Sequence, residues 1–143
     1  MTILKYDVNL IGYMNAFKQI TNVDAKDCFT INDMLIFVTD KGKAGLAIGK
    51  EGKNIQALKR ALMKDIKIIE HSNVIEELVA NFVFPLKPAE VSIATQEDKK
   101  VINIRFNQPR ERRYLLSQNQ IKLKQLKTIV KRYNPEIEDI LVL

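Results

Sequence analysis

The stretch that decides the fold is the octet Ile48-Gly49-Lys50-Glu51-Gly52-Lys53-Asn54-Ile55, a Gly-x-x-Gly turn with a helical pattern directly behind it. Apolar residues recur after the turn at Ile55, Leu58 and Leu62, which is the spacing of one helix face. Glycine permits a sharp turn and the close approach of another backbone. The amides at a helix start favour an anion, and the lysines beside them add to that preference. The octet therefore predicts a site for a phosphodiester backbone.

The composition predicts a soluble protein with a polyanionic partner. The chain has 143 residues, of which 46% are hydrophobic, and a net charge of +6. This length suits one domain or two small ones, and the charge favours nucleic acid. The single cysteine, Cys28, excludes an internal disulfide and a zinc site built on cysteine pairs, which indicates a reducing compartment. No apolar run approaches the roughly 20 residues of a membrane span, and the N-terminus does not resemble a signal peptide. We therefore expect a cytoplasmic protein without metal or cofactor.

The periodicity predicts an α+β fold in which one order of elements occurs twice. That order is helix, strand, strand, short helix, long helix, strand. In the first half we expect a helix capped by Asp7, strands at 25–32 and 34–38, helices at 44–48 and 53–63, and a strand at 66–69. In the second half we expect a helix capped by Asn73 in a capping box, strands at 90–95 and 100–107, helices at 109–116 and 119–133, and a strand at 139–143.

A shift of 68 residues aligns the two halves through the long helix, and a shift of 74 aligns their last strands. The shift of 68 places Met34 on Ile102, and it places the Gly-x-x-Gly turn on Ser117-Gln118-Asn119-Gln120. Both glycines are absent from the second turn, where Ser117 and Asn119 are candidates to cap the following helix. We expect one domain at 1–72 with an intact turn and another at 73–143 with a degenerate turn. The two domains are expected to pack as one rigid unit.

Positive charge is concentrated around both turns. Residues 41–67 carry eight cations against two acids, and residues 105–132 carry nine cations against one acid, which are net charges of +6 and +8. Such clusters are typical of a surface that binds nucleic acid. The residues predicted to bind RNA are Ile48, Gly49, Lys50, Glu51, Gly52, Lys53, Asn54, Ile55, Arg110, Arg112, Arg113 and Lys122.

The octet resembles the nucleotide-clamping loop of KH domains, which grips a short stretch of single-stranded RNA. Two tandem KH units of the helix-first type, called type II, resemble the archaeal NusA-type transcription factors. The segment Lys43–Ile55 looks like the first KH motif of that family, and Ile68–Ser72 with Phe84-Pro85 looks like its domain junction. The chain departs from the family in the second turn, where a Gly-x-x-Gly loop is usual. The resemblance implies binding of single-stranded RNA, a role in transcription elongation or termination, and RNA polymerase as a partner. We expect a monomer.

We expect three parts of the surface to bind RNA. The backbone amides of Gly49–Gly52 hold the RNA backbone, and the neighbouring lysines add charge. Ile48 and Ile55, with the edge of the strand at 34–38, form an apolar groove for a few unstacked bases. The second domain extends the basic track, so that salt weakens binding.

Other functions are weaker readings of the same residues. A P-loop needs four residues between its glycines and a hydroxyl after its lysine, whereas Gly45 and Gly49 leave three, and Glu51 replaces the hydroxyl. Cys28 and His71 lie on different predicted strands, so a nucleophile pair is less favoured than ordinary structural placement. We therefore expect no enzymatic activity. Two alternatives remain open, a KH module of the ribosome or of RNA maturation, and a protein-interaction adaptor that has lost RNA binding.

Overall fold

A computed structural model describes residues 4–5 and 9–143 of the chain. Asp7, the predicted cap of the first helix, lies outside the described residues. The chain divides into two compact units, of which the first ends at Ser72 and the second runs from Asn73 to Leu143. Each unit combines one β-sheet with helices, which confirms the predicted α+β class.

In the first unit, the described elements follow the predicted order, with a short strand added before the first helix. They are β1 (Leu4–Lys5), α1 (Leu10–Thr21), β2 (Asp27–Ile31), β3 (Met34–Thr39), α2 (Ala44–Ile48), a 3₁₀ turn (Lys50–Gly52), α3 (Lys53–Leu62) and β4 (Asp65–Glu70). The described strands form a sheet in the order β1-β2-β3-β4, in which β3 and β4 are parallel and the other pairs antiparallel. Parallel neighbours need a long crossover, and here α2, the turn and α3 supply it.

The core of the first unit lies between its helices and one face of this sheet. The rings of Phe17 on α1 and Phe37 on β3 stack with centroids 4.4 Å apart, and Leu58 on α3 belongs to the same buried cluster. Strand β3 lies between β2 and β4, and its residues 35–38 are fully buried. It therefore offers no free edge to RNA bases, and the predicted groove along this strand is wrong.

The second unit repeats the order of elements. They are α4 (Ile75–Val83), β5 (Glu90–Gln96), β6 (Lys99–Arg105), α5 (Pro109–Tyr133) and β7 (Ile137–Val142). The sheet order is β5-β6-β7, with β5 and β6 antiparallel and β6 and β7 parallel. Helix α5 is interrupted by non-helical backbone at Ser117–Gln120, so it contains both the short and the long predicted helix. Helix α4 begins after Val74 without a side-chain cap, so the capping box predicted at Asn73 does not form.

The two β-hairpins show that one shift does not align the whole repeat. The turn residues Asn32 and Asp33 have φ of 49° and 66°, and Glu97 and Asp98 have 51° and 66°. These turns are 65 residues apart, so Met34 corresponds to Lys99 and not to Ile102. The shift of 68 holds for the Gly-x-x-Gly turn, whereas the last strands begin at Asp65 and Ile137, 72 residues apart, close to the predicted shift of 74. Because β3 is buried along nearly its whole length, its apolar pattern carries little information about register.

Candidate nucleic-acid interface

The turn between α2 and α3 uses backbone conformations that favour glycine. Gly49 has φ 83° and ψ 164°, a combination that is essentially confined to glycine. Gly52 has φ 74° and ψ 18°, in the left-handed region, and Glu51 between them has φ 55° and ψ 26°. The chain therefore reverses within four residues, and α3 begins directly at Lys53.

The side chain of Asn54 fills the space that a side chain at Gly49 would need. A Cβ atom at Gly49 would lie 2.8 Å from Asn54 Cγ and 3.0 Å from the Asn54 backbone nitrogen. The side-chain amide nitrogen of Asn54 also donates a hydrogen bond of 3.4 Å to the carbonyl of Leu46, in the middle of α2. Asn54 therefore connects α3 to α2 across the turn, which is a structural role.

Two of the four turn amides are already used inside the protein. The Gly49 amide donates to the Gly45 carbonyl at 3.1 Å, and the Gly52 amide donates to the Gly49 carbonyl at 3.0 Å. The expectation that all amides of Gly49–Gly52 hold a ligand backbone is corrected accordingly. The amides of Lys50 and Glu51 are the remaining backbone donors of the turn.

Apolar residues on both sides of the turn pack against the core, and the charged residues of the turn are exposed to solvent. Ile48 and Ile55 are half-buried and pack against the core of the first unit, whereas Lys50, Glu51 and Lys53 are exposed. On α2, the amide of Ala44 donates to Oε1 of Glu70 on β4 at 3.4 Å. Glu70 thus contacts the first turn of α2 from 26 residues away in the chain. Sequence reasoning missed this contact, because nothing near Ala44 signals it.

The second turn keeps a tight geometry without any glycine. Gln118, Asn119 and Gln120 have φ of 53°, 58° and 62°, and the last two correspond to Glu51 and Gly52 of the first turn. Left-handed backbone is costly for residues with a Cβ atom, and asparagine tolerates it better than glutamine. The Ser117 hydroxyl donates to the carbonyl of Tyr114 at 2.7 Å. The Ser117 side chain therefore bonds to the C-terminal end of the preceding helical segment. Its predicted role as a cap of the following segment is wrong.

Comparison with known proteins identifies this architecture. Residues 13–83 match the family model described as KH domain. A "Probable transcription termination protein NusA" from Methanocaldococcus jannaschii is 28% identical over 127 residues, which cover 89% of this chain and 67% of that protein. The protein of the same name from Methanococcus vannielii is 26% identical over 113 residues, which cover 79% of this chain and 65% of that protein. The chain is an archaeal NusA-like KH protein.

A solved structure supports the tandem KH fold along most of the chain. The crystal structure of APE1850 matches with a TM-score of 0.77 and 25% identity, and the match covers 93% of this chain and 96% of that one. The matched part of this KH protein spans about two thirds of the length of the two NusA relatives.

The predicted RNA-binding residues of this KH protein fall into two groups. The first group, Ile48 to Ile55, is continuous and forms the turn with its two flanks. The second group lies on α5, on both sides of the second turn. Arg110 and Arg113 are exposed, and Lys122 places its Nζ 5.1 Å from the centroid of the Tyr114 ring. The Nε atom of Arg112 donates to the Leu143 carbonyl at 2.9 Å, so Arg112 links α5 to the residue after β7.

The part of the chain that the structure describes contains neither a metal site nor a membrane-spanning helix. Within it, no group of His, Cys, Asp and Glu side chains is arranged to hold a metal ion. No helix among these residues combines the length and the apolar character that crossing a membrane requires. Cys28 is buried in the core of the first unit.

Proposed function

We propose that this protein is an RNA-binding factor of transcription elongation or termination that grips single-stranded RNA through its first KH unit. The observation that carries the proposal is the turn at the start of α3, where glycine-dependent backbone lies between the exposed side chains of Lys50 and Lys53. KH domains use such a loop to clamp a few backbone nucleotides.

In the proposed complex, one phosphate of the RNA contacts the amides of Lys50 and Glu51 at the N-terminal end of α3. The positive end of the helix dipole and the ammonium groups of Lys50 and Lys53 favour this anion. Gly49 and Gly52 permit the backbone conformations that place these two amides at the start of α3. The carboxylate of Glu51 opposes phosphate binding, so the lysines must outweigh it.

The second unit extends the positively charged surface in this proposal. Its turn lacks glycine, so the backbone of a ligand cannot approach as closely as in the first unit. Residues 105–132 nevertheless carry a net charge of +8, with Arg110 and Arg113 exposed before the turn. We therefore expect asymmetric binding, in which the first unit clamps the strand and the second unit guides it.

The proposed role in transcription rests on the names of the two NusA relatives, which mention transcription termination, and RNA polymerase is proposed as a partner because of that role. Co-purification with RNA polymerase would support this assignment. Co-purification with ribosomal subunits instead supports a KH module of the ribosome or of RNA maturation.

The clamp is tested by measuring binding of a short fluorescein-labelled RNA of random sequence at several salt concentrations. Lys50→Gln/Lys53→Gln removes the two cations of the turn and should weaken binding. Log K falls as log salt rises, with a slope of about −0.7 for each phosphate of a single strand that the protein neutralises, so loss of the one phosphate contact should make this slope shallower by about 0.7. Gly52→Asp should also weaken binding, because it strains the turn and adds negative charge.

The matched control is Lys18→Gln/Lys26→Gln, which makes the same change in net charge elsewhere in the first unit. These lysines lie 3.5 Å and 3.7 Å from the carboxylates of Asp24 and Asp40. The control should keep the salt slope of the unmodified protein. If both double variants lost the same amount of RNA affinity, only the net charge of the protein would matter for binding, and the clamp proposal would then fail.

A further inference from the structure

The second unit contains a groove that the clamp does not use. The groove has a volume of about 550 Å³, within the range of small-ligand sites, and it lies between the segment Pro85–Lys87 and the start of α5. Arg110, Glu111 and Tyr114 line it on the α5 side. All of these residues belong to the second unit.

The groove is a built feature, because its two sides are hydrogen-bonded to each other. Oε2 of Glu111 accepts a hydrogen bond of 2.7 Å from the backbone amide of Lys87, which lies 24 residues earlier in the chain. This bond engages the carboxylate that lines the groove. The other charged side chains lining it, Lys87 and Arg110, are exposed cations. The groove therefore favours an anionic ligand.

The aromatic ring of Tyr114 gives this positive groove an exposed π surface. Tyr114 is 51% exposed, and Lys122 Nζ lies 5.1 Å from the centroid of its ring. Phe84, directly before Pro85, is 63% exposed. A planar ring among cations suits a flat base attached to a phosphate, since bases of single strands stack on aromatic side chains and their phosphates contact Lys and Arg.

The first unit shows a related arrangement, which argues against chance. Leu46 stands three residues before Gly49, as Tyr114 stands three residues before Ser117, and Leu46 is 61% exposed. Both units thus expose a large apolar side chain one helical turn before their loop. In the second unit this side chain is aromatic and surrounded by positive charge, which is the combination that recognises a nucleobase.

We propose that this groove is a second RNA subsite, in which Tyr114 stacks on one unpaired base and Arg110 contacts an adjoining phosphate. The proposal rests on RNA binding by the first unit and extends it. It assigns the contribution of the second unit to the groove before the turn, and not to the degenerate turn itself.

The test replaces the ring and keeps its bulk. Tyr114→Leu should weaken binding of the short labelled RNA about 5- to 140-fold, the range expected for loss of one base–aromatic stack. The slope of log K against log salt should stay unchanged, because no phosphate contact is lost. Tyr114→Phe should keep nearly full affinity. Arg110→Gln should make this negative slope shallower by about 0.7.

The matched control is Tyr133→Leu. Tyr133 ends α5 and also has a cation over its ring, with Cζ of Arg132 at 6.0 Å from the centroid, but it does not line the groove. This variant should bind RNA like the unmodified protein, which separates loss of the groove from loss of any tyrosine on the helix.

Two outcomes would overturn the proposal, and each differs from a failure of the clamp. Unchanged RNA affinity in Tyr114→Leu, together with weak binding in Lys50→Gln/Lys53→Gln, would reject the subsite and leave the clamp standing. If Tyr114→Leu instead abolished binding of a polyglutamate peptide and left RNA binding intact, the groove would belong to an acidic protein partner. Absence of RNA binding by the unmodified protein would reject the clamp and the subsite together.

Discussion

In the first unit, Gly49→Ala should destabilise the protein far more than Gly52→Ala, although both glycines belong to one turn. At Gly49 the backbone is nearly exclusive to glycine, and a Cβ atom would lie 2.8 Å from Asn54 Cγ and 3.0 Å from the Asn54 backbone nitrogen. Backbone strain contributes about 1–3 kcal/mol and overpacking a further 1–3 kcal/mol. The stiffer unfolded chain offsets about 0.4–1 kcal/mol of this, so we expect a loss of about 1–6 kcal/mol in the free energy of unfolding.

At Gly52 the expected loss is smaller, because only the backbone conformation opposes alanine. The Cβ atom would meet Ile55 Cγ2 at 3.6 Å, which is ordinary van der Waals contact. Left-handed backbone costs an alanine about 1–2 kcal/mol, and the stiffer unfolded chain offsets about 0.4–1 kcal/mol of this. The net loss should be about 1 kcal/mol.

Cys28 provides an assay that reports on the first unit alone. It is the only cysteine of the chain, it is 3% exposed, and it belongs to the core of that unit. The rate of thiol labelling across a urea series therefore gives the free energy of unfolding of this unit, even if the second unit unfolds separately.

A double-mutant cycle isolates the contact with the Asn54 side chain. Gly49→Ala/Asn54→Ala removes the contacts of the new Cβ atom with Asn54 Cγ and Nδ2, and it leaves the contact with the backbone nitrogen and the strained φ. The double variant should therefore lose about 1 kcal/mol or more less free energy of unfolding than the sum of the losses in the two single variants. This explanation of the turn would be refuted if Gly49→Ala and Gly52→Ala lost equal free energies of unfolding. It would also be refuted if the effects of Gly49→Ala and Asn54→Ala were additive.

Three further predictions concern strained backbone and one ion pair. Gln120→Gly should raise the urea midpoint of the second unit by an amount equivalent to about 0.5–1 kcal/mol, because Gln120 has φ 62°. Met63→Gly should stabilise the first unit to a similar extent in the thiol-labelling assay, since Met63 ends α3 at φ 55° and is 86% exposed, so little packing is lost. The hydrogen bond from Lys127 lowers the pKa of Asp139 in the folded protein. The Lys127–Asp139 pair therefore stabilises the fold at a pH above the pKa that Asp139 has in the unfolded chain, and this stabilisation is lost as the pH falls through its folded-state pKa. Asp139→Asn should therefore cost less than about 1 kcal/mol at pH 7 for this half-exposed pair, and urea denaturation at about pH 3 should show a smaller difference.

Local patterns predicted most of the elements because they depend on nearby residues. Helix α2 was predicted with its observed bounds, and α3 within one residue, because apolar spacing and glycine position are local signals. The predictions that failed concern which hydrogen-bond partner a capping side chain takes. Asn73 and Ser117 are good capping residues by type, yet α4 starts after Val74, and the Ser117 hydroxyl bonds to the preceding helical segment.

The amino-acid sequence by itself determined the order of the elements, the tandem repeat and the place of the clamp candidate. Spacing and glycine position are properties of the chain, and they act before any tertiary contact forms. Only the tertiary structure decided that Asn54 blocks a side chain at Gly49, that Glu70 contacts the start of α2, and that Glu111 joins the two sides of the groove beside Tyr114. The last two contacts join residues 26 and 24 positions apart, and their geometry depends on how helices pack on a sheet. No periodicity encodes that packing.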